Sequence, residues 1–172
     1  MAQRDDDLTR APIRSSGLPD ELIPNVRRGL GGLVFHKLDA ADWQNLFANG
    51  QARTYRDGEY ICREGDEGDS LFFVADGEVR VLARTLGGSG APFELARLAT
   101  GSVFGEMSFL DRAKISATVA ADGQVEIVRL YTKDIERLIA DDPDFGLRFY
   151  RSLAVTLSRR LRGANRLISE GS

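Results

Sequence analysis

Scarce residue types set the first limits. The 172-residue chain has one cysteine, Cys62, and one histidine, His36. A disulfide framework and a thiolate zinc site are excluded. A multi-histidine metal centre is excluded as well. The single tryptophan, Trp43, reads as a packing residue on a helix. No apolar run approaches the roughly 20 residues that a membrane helix needs. The opening stretch MAQRDDDLTR has three consecutive acids and no apolar core, so it does not read as a secretory signal. A soluble, cytoplasmic protein is expected.

The charges are unevenly spread. The net charge is −3. Residues 1–40 balance to zero, 41–146 carry 11 bases against 19 acids, and 147–172 carry six arginines against one acid. A basic helix behind an acidic body can meet nucleic acid. No aromatic residue follows Arg151, so a stacking platform for single strands is missing there. The arginines fit the outer face of an amphipathic helix better.

Three zones follow from the hydrophobic period. Residues 1–38 form an N-terminal extension, with a mobile polar tail over 1–20 and no clear pattern over 21–37. Asp39 then caps a short helix carrying Trp43, Leu46 and Phe47, which Asn49-Gly50 ends. From there to residue 142 short β-rich runs dominate: 59–62, 70–75, 78–84, 93–98, 115–120 and 125–131. Asp57-Gly58, Asp76-Gly77, Gly87-Gly88-Ser89-Gly90 and Asp122-Gly123 read as turns between them. Short strands at intervals of about ten residues predict an all-β roll or barrel. Cys62 falls within one of these strands and reads as a small core residue.

Helical period returns after Tyr131. Thr132 is a candidate cap for 133–140, and Asp142-Pro143 starts a longer helix over 143–172. Leu147, Tyr150, Leu153, Leu157, Leu161, Ala164 and Ile168 recur at three- and four-residue steps, as in a coiled-coil seam. Arg151, Arg159, Arg162 and Arg166 fall off it. The seam outlasts what a small barrel can cover, so it predicts a homodimer through Tyr150, Leu153, Leu157, Leu161, Ala164 and Ile168.

Chemistry concentrates at Phe104-Gly105-Glu106-Met107-Ser108. Gly105 lets backbone amides approach a ligand, and a helix start attracts anions. Glu106 is an acceptor suited to sugar hydroxyls. Arg56-Asp57-Gly58-Glu59, Gly65 and Gly68, Asp76-Gly77, Gly101 with Phe104-Gly105-Glu106, and Ser116-Ala117 follow in fixed order. The set resembles the cyclic nucleotide-binding domain family, which takes in the bacterial catabolite activator and the regulatory subunits of cyclic-AMP-dependent protein kinase.

The resemblance covers about residues 39–168. It implies an eight-stranded antiparallel β-roll with flanking helices, followed by a long C-terminal helix acting as lid and dimer seam. It implies a non-enzymatic sensor of cyclic AMP or cyclic GMP, with no cofactor or metal. Gly105 and Met107 match positions whose amides face the cyclic phosphate. Glu106 matches the carboxylate for the ribose 2′-hydroxyl, Ser116 a small polar residue beside the phosphate, and Asn165 a base contact on the C-terminal helix.

One position departs from the family's pattern. Ile115 stands where the family places the arginine that grips the phosphate. Isoleucine donates nothing. Arg112 and Lys114 are the nearby candidates to replace it. The alternative is a degenerate module that acts by dimerisation and protein contact, or that takes a cyclic dinucleotide. A barrel enzyme of the cupin kind would need a histidine cluster. With four residues after Ile168, no helix-turn-helix is expected, so DNA is not the expected target. Output is expected to pass to a separate protein partner.

Overall fold

A computed structural model describes residue 35, residues 37–84 and residues 91–170, leaving aside the side chains at 167, 168 and 170. The expected mobile tail, His36, the Gly87-Gly88-Ser89-Gly90 turn and the Ile168 side chain lie outside the described residues.

The order of elements is α1 (Ala40–Ala48), β1 (Gln51–Tyr55), β2 (Tyr60–Cys62), β3 (Ser70–Ala83), β4 (Phe93–Ala99), β5 (Val103–Phe104), α2 (Glu106–Asp111), β6 (Thr118–Tyr131), α3 (Thr132–Asp141) and α4 (Pro143–Glu170). Asp39 caps α1 as its sequence suggests. Its Oδ1 accepts from the Asp42 N–H at 2.9 Å, and Asp42 Oδ2 accepts from the Asp39 N–H at 3.0 Å. This reciprocal pair satisfies two amides that the helix cannot.

The strands form one antiparallel sheet in the order β1-β6-β3-β4, with β2 on β6 and β5 on β3. This is the antiparallel roll with flanking helices. Among the described residues the strands number six rather than the eight expected, for a physical reason. Asp76-Gly77 and Asp122-Gly123 do not separate strands; they bend two 14-residue strands, β3 and β6, without ending them. Both glycines have positive φ, and β3–β6 pairing shifts register on either side of Asp76. A Cβ on Gly77 would lie 2.7 Å from the Gln124 carbonyl oxygen. Such a bulge bends a strand and re-aims the residues after it.

Alternation along β3 and β6 divides the interior in two. Leu71, Phe73 and Ala75, with Val128 and Leu130, face the helices and pack with Trp43, Phe47, Ile135, Phe149 and Leu153. Phe72 and Val74, with Val125 and Ile127, face into the roll. The extra residue between Val74 and Asp76 flips the parity, so Val79 joins that inner cluster as well. Thr132 is the first residue of α3 rather than its cap; Tyr131 holds the cap position. Asp142 accepts from the amides of Asp144 and Phe145 at the start of α4, as Asp142-Pro143 suggested.

The helix α4 corrects the expected seam. Leu153 is fully buried in the domain's own core beside Phe149, so it is not free to meet a second copy. The outward heptad runs instead through Leu147, Tyr150, Ala154, Leu157, Leu161 and Ala164; Leu157 is half-buried, while Tyr150 is 42% exposed and Leu161 63%. A 100° step per residue puts these on one stripe, and Phe145, Phe149, Leu153 and Thr156 on another.

Candidate functional site

The site begins at a turn that only glycine can make. Gly105 has φ +82°, and a Cβ there would lie 2.7 Å from the Ser70 carbonyl oxygen and against the Phe72 ring. The turn is thus pressed onto β3 and opens directly into α2. Phe104 stacks on Phe72 at 4.9 Å between ring centroids and is buried in the roll, so it braces the turn from behind. On the other side, a Cβ on Gly68 would sit 2.2 Å from Ser108 Cβ. The loop 63–69 therefore lies flush against α2.

Glu106 is 5% exposed. A buried carboxylate needs a partner, and α4 supplies it. The Arg160 guanidinium donates through Nη1 to Glu106 Oε1 and through Nη2 to the Val103 carbonyl oxygen. One side chain of the C-terminal helix thus holds both the strand before the turn and the acid after it. Sequence reasoning missed Arg160, because the arginines were sorted only by whether they left the seam. The available signal was its place on the stripe of Phe149, Leu153 and Thr156: an arginine on a buried stripe calls for a buried acid.

Ile115 is 7% exposed. Its N–H donates to the Asp66 carbonyl and its own carbonyl accepts from the Gly65 N–H, both at 2.9 Å. The backbone is clipped to loop 63–69 and the side chain is packed. Ser116 is exposed, its Oγ 4.0 Å from Met107 Sδ, and Met107 is exposed too. Ala117 is half-buried. Ser108 is buried under Gly68.

The loop cations point elsewhere. Arg112 pairs with Glu136 of α3, and Lys114 lies 3.8 Å from Glu67. Asn165 is exposed on α4, about one and a half turns beyond Arg160. The structure thus brings Gly105, Glu106, Met107, Ser108 and Ser116 to one place, adds Arg160, and leaves Arg112, Lys114 and Asn165 at its margins. Burial pushes the Cys62 thiol up to about 11, so it is not a nucleophile at neutral pH. Among the described residues, no group of three or more His, Cys, Asp or Glu is placed to hold a metal ion. Among those same residues, no helix is long and apolar enough to cross a membrane.

Residues 52–142 match the cyclic nucleotide-binding domain family, and that segment contains the whole Gly105–Ser116 constellation. The chain belongs to this family. The cyclic AMP receptor protein of Thermus thermophilus is 36% identical over 135 residues, covering 78% of this chain and 60% of the relative. A cyclic nucleotide-gated potassium channel of Rhizobium etli is 32% identical over 111 residues, covering 64% of this chain and 29% of the channel. The chain therefore spans less than two thirds of either relative. The crystal structure of a cyclic nucleotide-binding domain from Methylobacillus flagellatus superposes with a TM-score of 0.80 over 91% of this chain and 87% of the other. At 22% identity that likeness shows the fold, with its roll and long C-terminal helix.

Proposed function

We propose that the chain is a non-enzymatic, cytoplasmic sensor of a cyclic mononucleotide, cyclic AMP or cyclic GMP, which signals to a separate protein partner through α4. The observation that carries this reading is the buried Glu106 carboxylate, fixed behind Gly105 and held from α4 by Arg160. A carboxylate has about four acceptor sites, so Glu106 can take a ribose hydroxyl while keeping Arg160. Occupancy of the turn then bears directly on α4. In this reading residues 39–142 form the ligand-binding roll, and 143–172 form the reporting helix, whose first half is already packed in the core between the sheet and the helices.

The outward heptad of α4 supports a homodimer. Tyr150 and Leu161 present apolar surface that the described residues leave exposed, with the half-buried Leu157 between them, at the spacing of a two-helix seam.

A second reading rests on Ile115. A packed isoleucine replaces the phosphate arginine, and Arg112 and Lys114 are drawn into ion pairs with acids. This favours a degenerate module that takes no mononucleotide, and either works by protein contact or takes a cyclic dinucleotide.

Thermal melts separate the two readings. A ligand at a hundredfold its Kd adds about 2.7 kcal/mol of stability. The sensor reading expects millimolar cyclic AMP or cyclic GMP to raise the melting temperature of the wild-type chain. An unchanged melt with both, and a rise with cyclic di-GMP, would favour the second reading.

A further inference from the structure

The C-terminal helix is held at two points. One is Arg160 on the Glu106 turn. The other lies near its start, where Arg148 donates to Asp42 of α1 through Nε to Oδ2 and through Nη2 to Oδ1, both at 2.7 Å. Asp42 is 4% exposed, and the same carboxylate accepts the Asp39 N–H that closes the α1 cap. The Arg148 guanidinium holds the Asp42 carboxyl below the ordinary carboxylate range. The segment entering α1 adds two ties: Phe35 stacks on Phe149 at 5.0 Å, and the Lys37 N–H donates to Ser152 Oγ at 3.3 Å.

Beyond Thr156 none of the described side chains of α4 is buried. The helix is therefore a lever, packed at its root and touching the site through Arg160. Twelve residues separate Arg148 from Arg160, about 18 Å along the axis. A tilt of about 5° at the root moves Arg160 by about 1.5 Å, enough to break a hydrogen bond. The hydrophobic driving force around Phe149 and Leu153 is non-directional and their packing leaves a spread of crossing angles, whereas a planar fork on a carboxylate adds a defined direction.

The geometry points to Asp42 as a positioning residue for the ligand site: its fork with Arg148 sets the angle of α4 and so places Arg160 on Glu106. The consequence for ligand control rests on the proposed role of Glu106. The mechanical coupling between Arg148 and Arg160 along α4 does not, so the test below uses no ligand and the two readings fail separately.

Amide hydrogen exchange of residues 157–166 is measured on the full chain at one concentration. The variants are Asp42→Asn, Glu106→Gln and the double substitution. Asparagine keeps an acceptor for the Asp39 N–H and removes the charge that holds Arg148. The expected result is exchange roughly tenfold faster in Asp42→Asn, the factor for one charge-assisted hydrogen bond, with little further acceleration when Asp42→Asn is added to Glu106→Gln. Arg148→Lys, which keeps the charge but not the fork, is expected to act like Asp42→Asn, and it serves should that variant not fold. Acceleration confined to residues 39–48, or an equal factor in both Glu106 backgrounds, would overturn the proposal.

Discussion

Replacing Arg160 by alanine strands Glu106. The Glu106 side chain is 7% exposed and the Arg160 side chain 33%. Breaking a fully buried pair costs about 3–5 kcal/mol, because the remaining charge is left without compensation. A third of Arg160 is open to water, so the estimate falls to roughly 1–3 kcal/mol. For a domain of this size that is a melting temperature lower by about 2–12 °C. Glu106→Gln should cost less than Arg160→Ala, since the amide keeps an acceptor for Arg160 and the charge left unpaired is the partly solvated guanidinium rather than the buried carboxylate. In the Glu106→Gln background, Arg160→Ala should in turn cost less than in the wild type. Urea and thermal unfolding of the four proteins complete the cycle. If Arg160→Ala melts with the wild type, or costs the same in both backgrounds, the contact does not hold the turn.

Three further outcomes are expected. Ile115→Arg should lower stability by about 1–3 kcal/mol, because it forces a cation into a packed site; cyclic nucleotide affinity should rise about 10- to 100-fold by titration. Unchanged affinity in a folded variant would show that position 115 does not face the ligand. Leu157→Arg should give monomers in light scattering, and a fully dimeric variant at micromolar concentration would dismiss the α4 seam. Asp42 has a depressed folded-state pKa, so the stability it contributes is present above its ordinary value of 3.8 and is lost as pH falls through the lower folded value. Asp42→Asn should flatten that acid limb of the stability curve, and an identical limb in the variant would remove Asp42 from the account.

Much of the fold can be read from short-range signals. The Asp39 cap, the Asn49-Gly50 stop and the Asp142-Pro143 start are local chemistry, and they stand where the sequence suggests. Asp76-Gly77 and Asp122-Gly123 misled because the same dipeptide serves a hairpin turn and a bend within a long strand. Which one forms depends on the partner strand, and the sequence does not display it. The helix α4 misled differently. It carries an inward stripe and an outward stripe less than half a turn apart, and a leucine at 153 looks more seam-like than an alanine at 154. Only packing against Phe149 assigns Leu153 inward. In the candidate site the Gly105-Glu106 turn could be picked out locally, because a glycine and the acid after it are adjacent in sequence. The packing of Gly105 on Ser70 and Phe72 and of Ile115 on Gly65 and Asp66 could not. Arg160 lies 54 residues from Glu106, and no local pattern joins them.

The most direct measurement is a calorimetric titration of the wild-type chain and of Glu106→Gln with cyclic AMP and with cyclic GMP. The account predicts saturable binding of at least one of them by the wild type. It predicts weaker binding by Glu106→Gln, by about tenfold or more for the loss of a charged acceptor. No heat of binding from either nucleotide with the folded wild type, or equal affinity in the two proteins, would contradict it.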